Sequence, residues 1–201
     1  MRIKLFDFKG TPIQLNLWFL IIFLITSITT GIAVLVSVLV HEMAHALIAK
    51  QKGYRVHNIE IDLVYGSASI DANMTDKDSI PIIAAGPLSN LLLFTISTLI
   101  LQNNIASLPI IKTFFESMLK VNLVLFIFNI LPIFPMDGGQ ITKSLLRINM
   151  KNKLKANKIN NIISLVTSSL LFFYAMFIFN IMLIIFSIYF MYLAIRDLNL
   201  K

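Results

Sequence analysis

The apolar residues of this chain fall into four long blocks, at roughly 13–49, 80–101, 108–135 and 159–195. A helix that crosses the hydrocarbon core of a bilayer, about 30 Å thick, needs about 20 residues at about 1.5 Å each. The first and last blocks are too long for one crossing, and each contains a candidate break, at Thr29-Thr30-Gly31 and at Asn180. The pattern predicts an all-α polytopic membrane protein, a single domain over 1–201, with six spans near 14–29, 32–50, 81–101, 110–131, 160–178 and 181–196.

The segment between the second and third predicted spans follows a different pattern. Residues 58–63 read Asn-Ile-Glu-Ile-Asp-Leu, and this period of two is typical of a strand. Gly66 and the small residues Ser67, Ala68 and Ser69 then indicate a turn and a returning strand. We therefore expect a small β-hairpin at the cytoplasmic face of the membrane.

Composition and charge agree with a membrane protein. The chain is 57% apolar and only 13% charged, whereas a soluble domain of this size needs more charge on its surface. Of its 17 Lys and Arg residues, only Lys112 and Lys120 fall outside the segments that are cytoplasmic when both termini of a six-span chain are cytoplasmic. The net charge of +7 is thus explained by orientation, with no patch that predicts nucleic acid as a partner.

Residues 41–45 carry the first candidate chemistry, the motif His41-Glu42-Met43-Ala44-His45. Two histidines four apart on a helix share one face and can bind one metal ion, with the glutamate between them as the general base. His41 lies about 15 Å along the second predicted span, near the middle of the bilayer. A carboxylate at that depth costs at least about 2.5–3.5 kcal/mol, so Glu42 without a function should be rare.

A catalytic zinc site usually takes three protein ligands. His57 falls in the predicted hairpin outside the membrane, and Glu116 has Lys120 one turn away as an ion-pair partner. Asp137 follows the sequence Asn129-Ile-Leu-Pro-Ile-Phe-Pro-Met and precedes two glycines. Such a broken backbone at membrane depth is tolerated where it is buried or lines a wet cavity, which favours Asp137 as the third ligand.

Three motifs in order, HEMAH at 41–45, AAGPLSN at 84–90 and NILPIFPMDGG at 129–139, resemble the site-2 protease family of intramembrane metalloproteases. The resemblance is to the short group without a PDZ domain, similar to the bacterial sporulation-factor-processing members. One departure from the family is Met136, where leucine is common. The resemblance implies one Zn²⁺ per chain held by His41, His45 and Asp137, with Glu42 as the catalytic base. It also implies that Asn129 helps to position substrate or to stabilise the oxyanion.

The resemblance further implies where the substrate binds and where the protein resides. Residues 57–71, including Gly66, Ser67 and Ala68, match the edge strand and loop that receive an extended substrate, and Gly86, Pro87 and Asn90 would pack beside the metal site. The expected substrate is a membrane-embedded protein cut in or next to a transmembrane segment, in the plasma membrane of a bacterium. Regulation is then expected from partner proteins, substrate supply or prior cleavage by another protease.

Two other functions compete with proteolysis. A metal-ion or proton transporter could use the same four side chains as a relay, but it should show inverted repeats or acidic residues in several spans. An inactive membrane scaffold would tend to lose Glu42 or a ligand, and all four residues are present. The sequence shows neither the repeats or spread of acidic residues expected of a transporter nor the lost residue expected of a scaffold, so it favours a protease.

Overall fold

The computed structural model describes residues 2–61, 66–71 and 73–199. A single 3-10 turn occupies Leu17–Leu20 between β2 and α1. The other elements are, in chain order, β1 (Arg2–Phe8), β2 (Thr11–Asn16), α1 (Ile21–Ile25), α2 (Ile28–Gln51), β3 (Val56–Ile61), β4 (Gly66–Ile70), α3 (Asp76–Gln102), α4 (Pro109–Ile130), α5 (Asp137–Asn149), α6 (Lys153–Phe177) and α7 (Ile181–Asn199). They form two compact units, Met1–Met74 with Ala84–Ile127 and Thr75–Ile83 with Phe128–Lys201.

Among the described residues, four helices are long and apolar enough to cross a membrane: α2, α3, α6 and α7. They coincide with the predicted spans 32–50, 81–101, 160–178 and 181–196. The predicted span 110–131 is helical as α4 but does not belong to this set of four, so its crossing of a membrane stays a prediction.

The prediction of one helix over 14–29 is wrong. Residues in that range belong to β2, the 3-10 turn and the five-residue helix α1. The fold is mostly helical, as predicted, but its sheet has four strands where the prediction had only a hairpin. Along β2 every second residue, Thr11, Ile13 and Leu15, is buried. This is the period of two of a strand, which the high apolar content of the whole block concealed.

The four strands form one sheet in the order β1-β2-β3-β4. β2 pairs in parallel with β3, which places Ile13 opposite Ile59, while the two outer pairs are antiparallel. The predicted hairpin is confirmed as β3 and β4, with Ile59 and Ile61 fully buried, although the predicted strand positions Asp62 and Leu63 lie outside the described residues. Because β2 is an inner strand, its backbone donors and acceptors are used by neighbours on both sides.

The first apolar block folds back along α2, as its length predicts. At the C-terminal end of α2, the Lys50 ammonium donates hydrogen bonds to the carbonyls of Phe8, at 3.1 Å, and Lys9, at 2.6 Å. At the N-terminal end, the Phe23 ring lies against Gly31. The chain before α2 therefore runs antiparallel to it, and the break falls at Thr26 and Ser27, slightly before the predicted one at Thr29-Thr30-Gly31.

In the second unit, the predicted break at Asn180 is confirmed. α6 ends at Phe177 and α7 begins at Ile181, with the Asn180 side chain accepting a hydrogen bond from the Leu183 N–H at 3.0 Å. The segment between α4 and α5 contributes Ile133 to a core with Phe190 of α7. This packing anchors the irregular backbone that precedes Asp137.

Candidate metal centre

Three side chains with metal-binding atoms lie together on the buried face of α2. His41, Glu42 and His45 are 6%, 5% and 7% exposed, and one potential ligand atom from each lies within 4.8 Å of the others. The Nε2 atoms of the two histidines are 3.1 Å apart. The four-residue spacing thus brings both imidazoles to one point, as the sequence motif predicts.

The arrangement of donors fits zinc. Zinc binds imidazole nitrogen at about 2.0–2.1 Å, so two nitrogens on one ion must lie within about 4.2 Å of each other. The measured separation of 3.1 Å satisfies that limit without movement of the helix. Two imidazoles and a nearby carboxylate are also the donor types that zinc prefers in hydrolytic sites. His41 and His45 would therefore hold the ion through Nε2.

Gly86 of α3 leaves the space in front of these nitrogens open. A Cβ added at this position would lie 2.6 Å from Nε2 of His41 and would overlap with the imidazole of His45. Even alanine is therefore too large here, since carbon and nitrogen normally approach to about 3.5 Å. The prediction that Gly86 packs beside the site is confirmed, and close approach of two helices explains the residue.

A chain of buried hydrogen bonds leads away from the other nitrogen of His41. Its Nδ1 bonds to Oδ1 of Asn90 at 2.5 Å, and Nδ2 of Asn90 donates to Oδ1 of Asn122 on α4 at 2.8 Å. Asn122 in turn donates from Nδ2 to the Ser37 hydroxyl at 2.9 Å and to the Met118 carbonyl at 2.8 Å. Asn90 was expected beside the site, whereas Asn122 and Ser37 were missed.

The sequence contains a signal for both missed residues. Ser37 lies four residues before His41 and therefore on the same face of α2, and Asn122 is a lone amide within an apolar stretch of α4. Both are fully buried. A buried amide in an apolar helix requires partners, so a search for them would have led to α2.

Asp137 belongs to the second unit, where it is the first residue of α5 and is 8% exposed. The two glycines that follow it pack against the irregular backbone after α4. A Cβ at Gly138 would overlap with the carbonyls of Ile130 and Leu131, and one at Gly139 would overlap with backbone atoms of Ile133 and Phe134. The Asp137-Gly-Gly sequence therefore presses the first turn of α5 onto that segment, which includes a cis Phe134-Pro135 bond.

The remaining predicted residues lie on separate elements. Asn129 is half-buried near the end of α4. Gly66, Ser67 and Ala68 form the first part of the edge strand β4, which packs on α2. His57 is an exposed residue of β3, as expected, and its Nε2 lies 3.0 Å from Oδ1 of Asp71.

Asp71 closes the base of the β3–β4 hairpin. Its carboxylate accepts a hydrogen bond from the Arg55 backbone N–H at 3.1 Å. That bond, with smaller contributions from His57 and the Arg55 charge, lowers the pKa of Asp71 below its usual range despite partial desolvation. The residue therefore stabilises the hairpin as an anion.

Comparison with known proteins finds similarity to metalloproteases. Residues 98–174 match the model of Peptidase family M50. A zinc metalloprotease of Methanocaldococcus jannaschii is 32% identical in an alignment that covers 93% of this chain and 58% of the relative. The site-2 protease structure from the same organism superposes with a TM-score of 0.67 at 26% identity, over 100% of this chain and 97% of that one.

The chain is similar in sequence and in fold to site-2 proteases. The segment matched by the family model contains Asn129 and Asp137, and the histidine motif of α2 lies before it in the chain. This similarity favours a metal site over a polar contact between helices as the reason for the buried donors of α2. The chain spans 58% of the length of the curated relative.

Proposed function

We propose that this protein is a site-2 protease, a zinc metalloendopeptidase that hydrolyses peptide bonds within or next to transmembrane segments of membrane-anchored proteins. The observation that carries the proposal is the convergence of His41, Glu42 and His45 on the buried face of an apolar helix long enough to cross a membrane. A carboxylate in such a helix is costly, and hydrolysis gives it a function.

The residues divide the chemistry between them. Zinc, when bound, acts as a Lewis acid on the scissile carbonyl and promotes ionisation of water at neutral pH. Glu42 lies beside the two imidazoles, where it can take the proton of the attacking water and later deliver it to the leaving amine. His41 and His45 orient the site because both project from one turn of one helix.

Asp137 is proposed as the third zinc ligand. It is a buried carboxylate fixed by the close packing of Gly138 and Gly139, and it occupies the family's motif. Asp137→Ala should lose zinc, measured by metal analysis of the purified protein, while the thermal unfolding temperature of the metal-free form changes little. Glu116→Gln is the matched control, because Glu116 is the rival carboxylate of α4. If Glu116→Gln loses zinc and Asp137→Ala keeps it, the ligand assignment is wrong.

The substrate is proposed to bind as an extended strand along β4. A transmembrane helix hides its peptide bonds in its own turns, so the cut segment must unwind, and an added strand satisfies its backbone groups. β4 is an edge strand that packs on α2, the helix that carries the histidines. A photo-reactive residue at Ala68 should crosslink to substrate in the Glu42→Gln variant. The same probe at Ile3, on the opposite edge strand β1, should not.

Asn129 is proposed to hold the substrate carbonyl as charge develops on it. A hydrogen bond that strengthens in the transition state affects kcat more than KM. We therefore expect Asn129→Ala to lower kcat by about 10²–10³ with little change in KM. If instead KM rises by that factor and kcat is unchanged, Asn129 only binds substrate.

The membrane orientation follows from charge. The basic segments, including the start of α6 at Lys153, are proposed to face the cytoplasm of a bacterial cell, with both termini on that side. The chain has no cysteine, so single-cysteine variants test this directly. An impermeant thiol reagent added outside the cell should label Asn104→Cys, in the loop after α3, and should not label Lys153→Cys. The reverse labelling would invert the topology.

The experiment that separates proteolysis from a transporter or a scaffold is cleavage itself. A fusion protein with one transmembrane segment is co-expressed with wild type or with Glu42→Gln, and its fragments are mapped by mass spectrometry. Wild type should produce a cut within or beside the segment, and Glu42→Gln should produce none. Uncut substrate with wild type, together with zinc-dependent ion flux in vesicles, would favour the transporter.

A further inference from the structure

The hydrogen-bond chain behind His41 has a fixed direction. Its far end is anchored on backbone carbonyls, which can only accept hydrogen bonds. The Ser37 hydroxyl donates to the Ala33 carbonyl at 2.7 Å, and the Met118 carbonyl accepts from Nδ2 of Asn122 at 2.8 Å. Asn122 therefore cannot turn its amide around without placing its oxygen against an acceptor.

The order of donors and acceptors in these hydrogen bonds also fixes which nitrogen of His41 carries the proton. With Nδ2 of Asn122 committed to Met118 and Ser37, Oδ1 of Asn122 faces Asn90 and must receive its Nδ2–H. Oδ1 of Asn90 then faces His41, so Nδ1 of His41 has to carry the proton. A neutral imidazole protonated on Nδ1 has its lone pair on Nε2, the atom that points at His45 and Gly86.

We infer that Asn122 is a positioning residue which, through Asn90, holds His41 in the tautomer that binds zinc through Nε2. The inference deepens the proposed function and rests on it for the identity of the metal. Asn90 and Asn122 are both fully buried, so water does not compete for these bonds. Metal-binding histidines commonly depend on such outer partners, and loss of a partner costs about 10- to 100-fold in metal affinity.

The fold contains a matched control for this chain. Ser117 and Thr30 also join α4 to α2, through a hydrogen bond of 3.1 Å between their hydroxyls. Ser117 is nearly as buried as Asn122, at 9% exposure. Among the hydrogen bonds of the described residues, however, none connects Ser117 to His41. Asn122→Leu and Ser117→Ala therefore each remove one α2–α4 contact, and only the first alters the tautomer.

The test uses the metal-free, full-length protein labelled with ¹⁵N-histidine. The chain has only three histidines, so the His41 signals can be assigned. Wild type should show His41 protonated on Nδ1. Asn122→Leu should give a mixture of tautomers and bind zinc about 10- to 100-fold more weakly in a chelator competition, whereas Ser117→Ala should stay within about threefold of wild type. Neither readout needs a substrate, so failure of proteolysis does not affect them.

Three results would overturn the inference. The first is a wild-type His41 protonated on Nε2. The second is unchanged zinc affinity in Asn122→Leu, and the third is an equal loss of affinity in Ser117→Ala, which would mean that helix packing alone matters. If Asn122→Leu does not fold, Asn122→Ala takes its place, because it also removes the oxygen that accepts the hydrogen bond from Asn90. The same loss of affinity is expected from it.

Discussion

Replacing Gly86 by alanine puts one methyl group where the two imidazole nitrogens converge. The new Cβ would be 2.6 Å from Nε2 of His41, and a normal contact is about 3.5 Å, so the ring would have to move by about 0.9 Å. His41 is also tied to Asn90 through Nδ1, so it cannot swing aside without breaking that bond. Zinc sites tolerate deviations of only about 0.2 Å in ligand distance.

Gly86→Ala should therefore reduce zinc affinity by more than about 100-fold, beyond the range for loss of an outer partner. The assay is chelator competition on purified protein, with thermal unfolding of the metal-free form as the fold check. Gly31→Ala is the matched control, because it adds the same methyl group to a crowded helix position against the Phe23 ring, about 15 Å along α2 from His41. A folded Gly86→Ala with wild-type zinc affinity would refute the geometry of the site.

Three further predictions concern the supports of the site. Gly138→Ala should destabilise the protein by at least about 1–3 kcal/mol, because its methyl group meets backbone carbonyls that cannot move independently; thermal unfolding in detergent measures this. Asn180→Ala should cost about 1 kcal/mol by the same measurement, since it removes the cap on the Leu183 N–H, and an unchanged stability would contradict the capping role. Asp71 should titrate below its ordinary pKa of about 3.9, followed by NMR of its carboxyl carbon. Its stabilisation of the hairpin is then present above about pH 3.9 and lost as the pH falls through the lowered pKa, whereas a raised pKa would contradict the hydrogen bond from Arg55.

Local patterns predicted much of this fold because they act through neighbours in the sequence. The four-residue spacing of His41 and His45 needs only a helix to form the pair of donors. Asn180 ends one helix and caps the next within three residues, and the alternation around Ile59 needs only one buried sheet face. In each case the physical cause lies within a few residues of the pattern.

The missed features depend on contacts between distant segments. β2 is a strand because β1 and β3 flank it, and β3 arrives only after the whole of α2. An apolar run of that kind suits a buried strand or a membrane helix equally well, so hydropathy cannot decide between them. Asn122 is separated from Ser37 by 85 residues, and its role is visible only once α2 and α4 are packed together.

Zinc-dependent cleavage by purified protein tests the central claim most directly. Wild type and Glu42→Gln are stripped of metal, given one equivalent of zinc and mixed with a transmembrane substrate in the same detergent. The account predicts that both rebind zinc, that wild type regains cleavage only with the metal, and that Glu42→Gln stays silent. Cleavage by wild type without zinc, or by zinc-loaded Glu42→Gln, would contradict it.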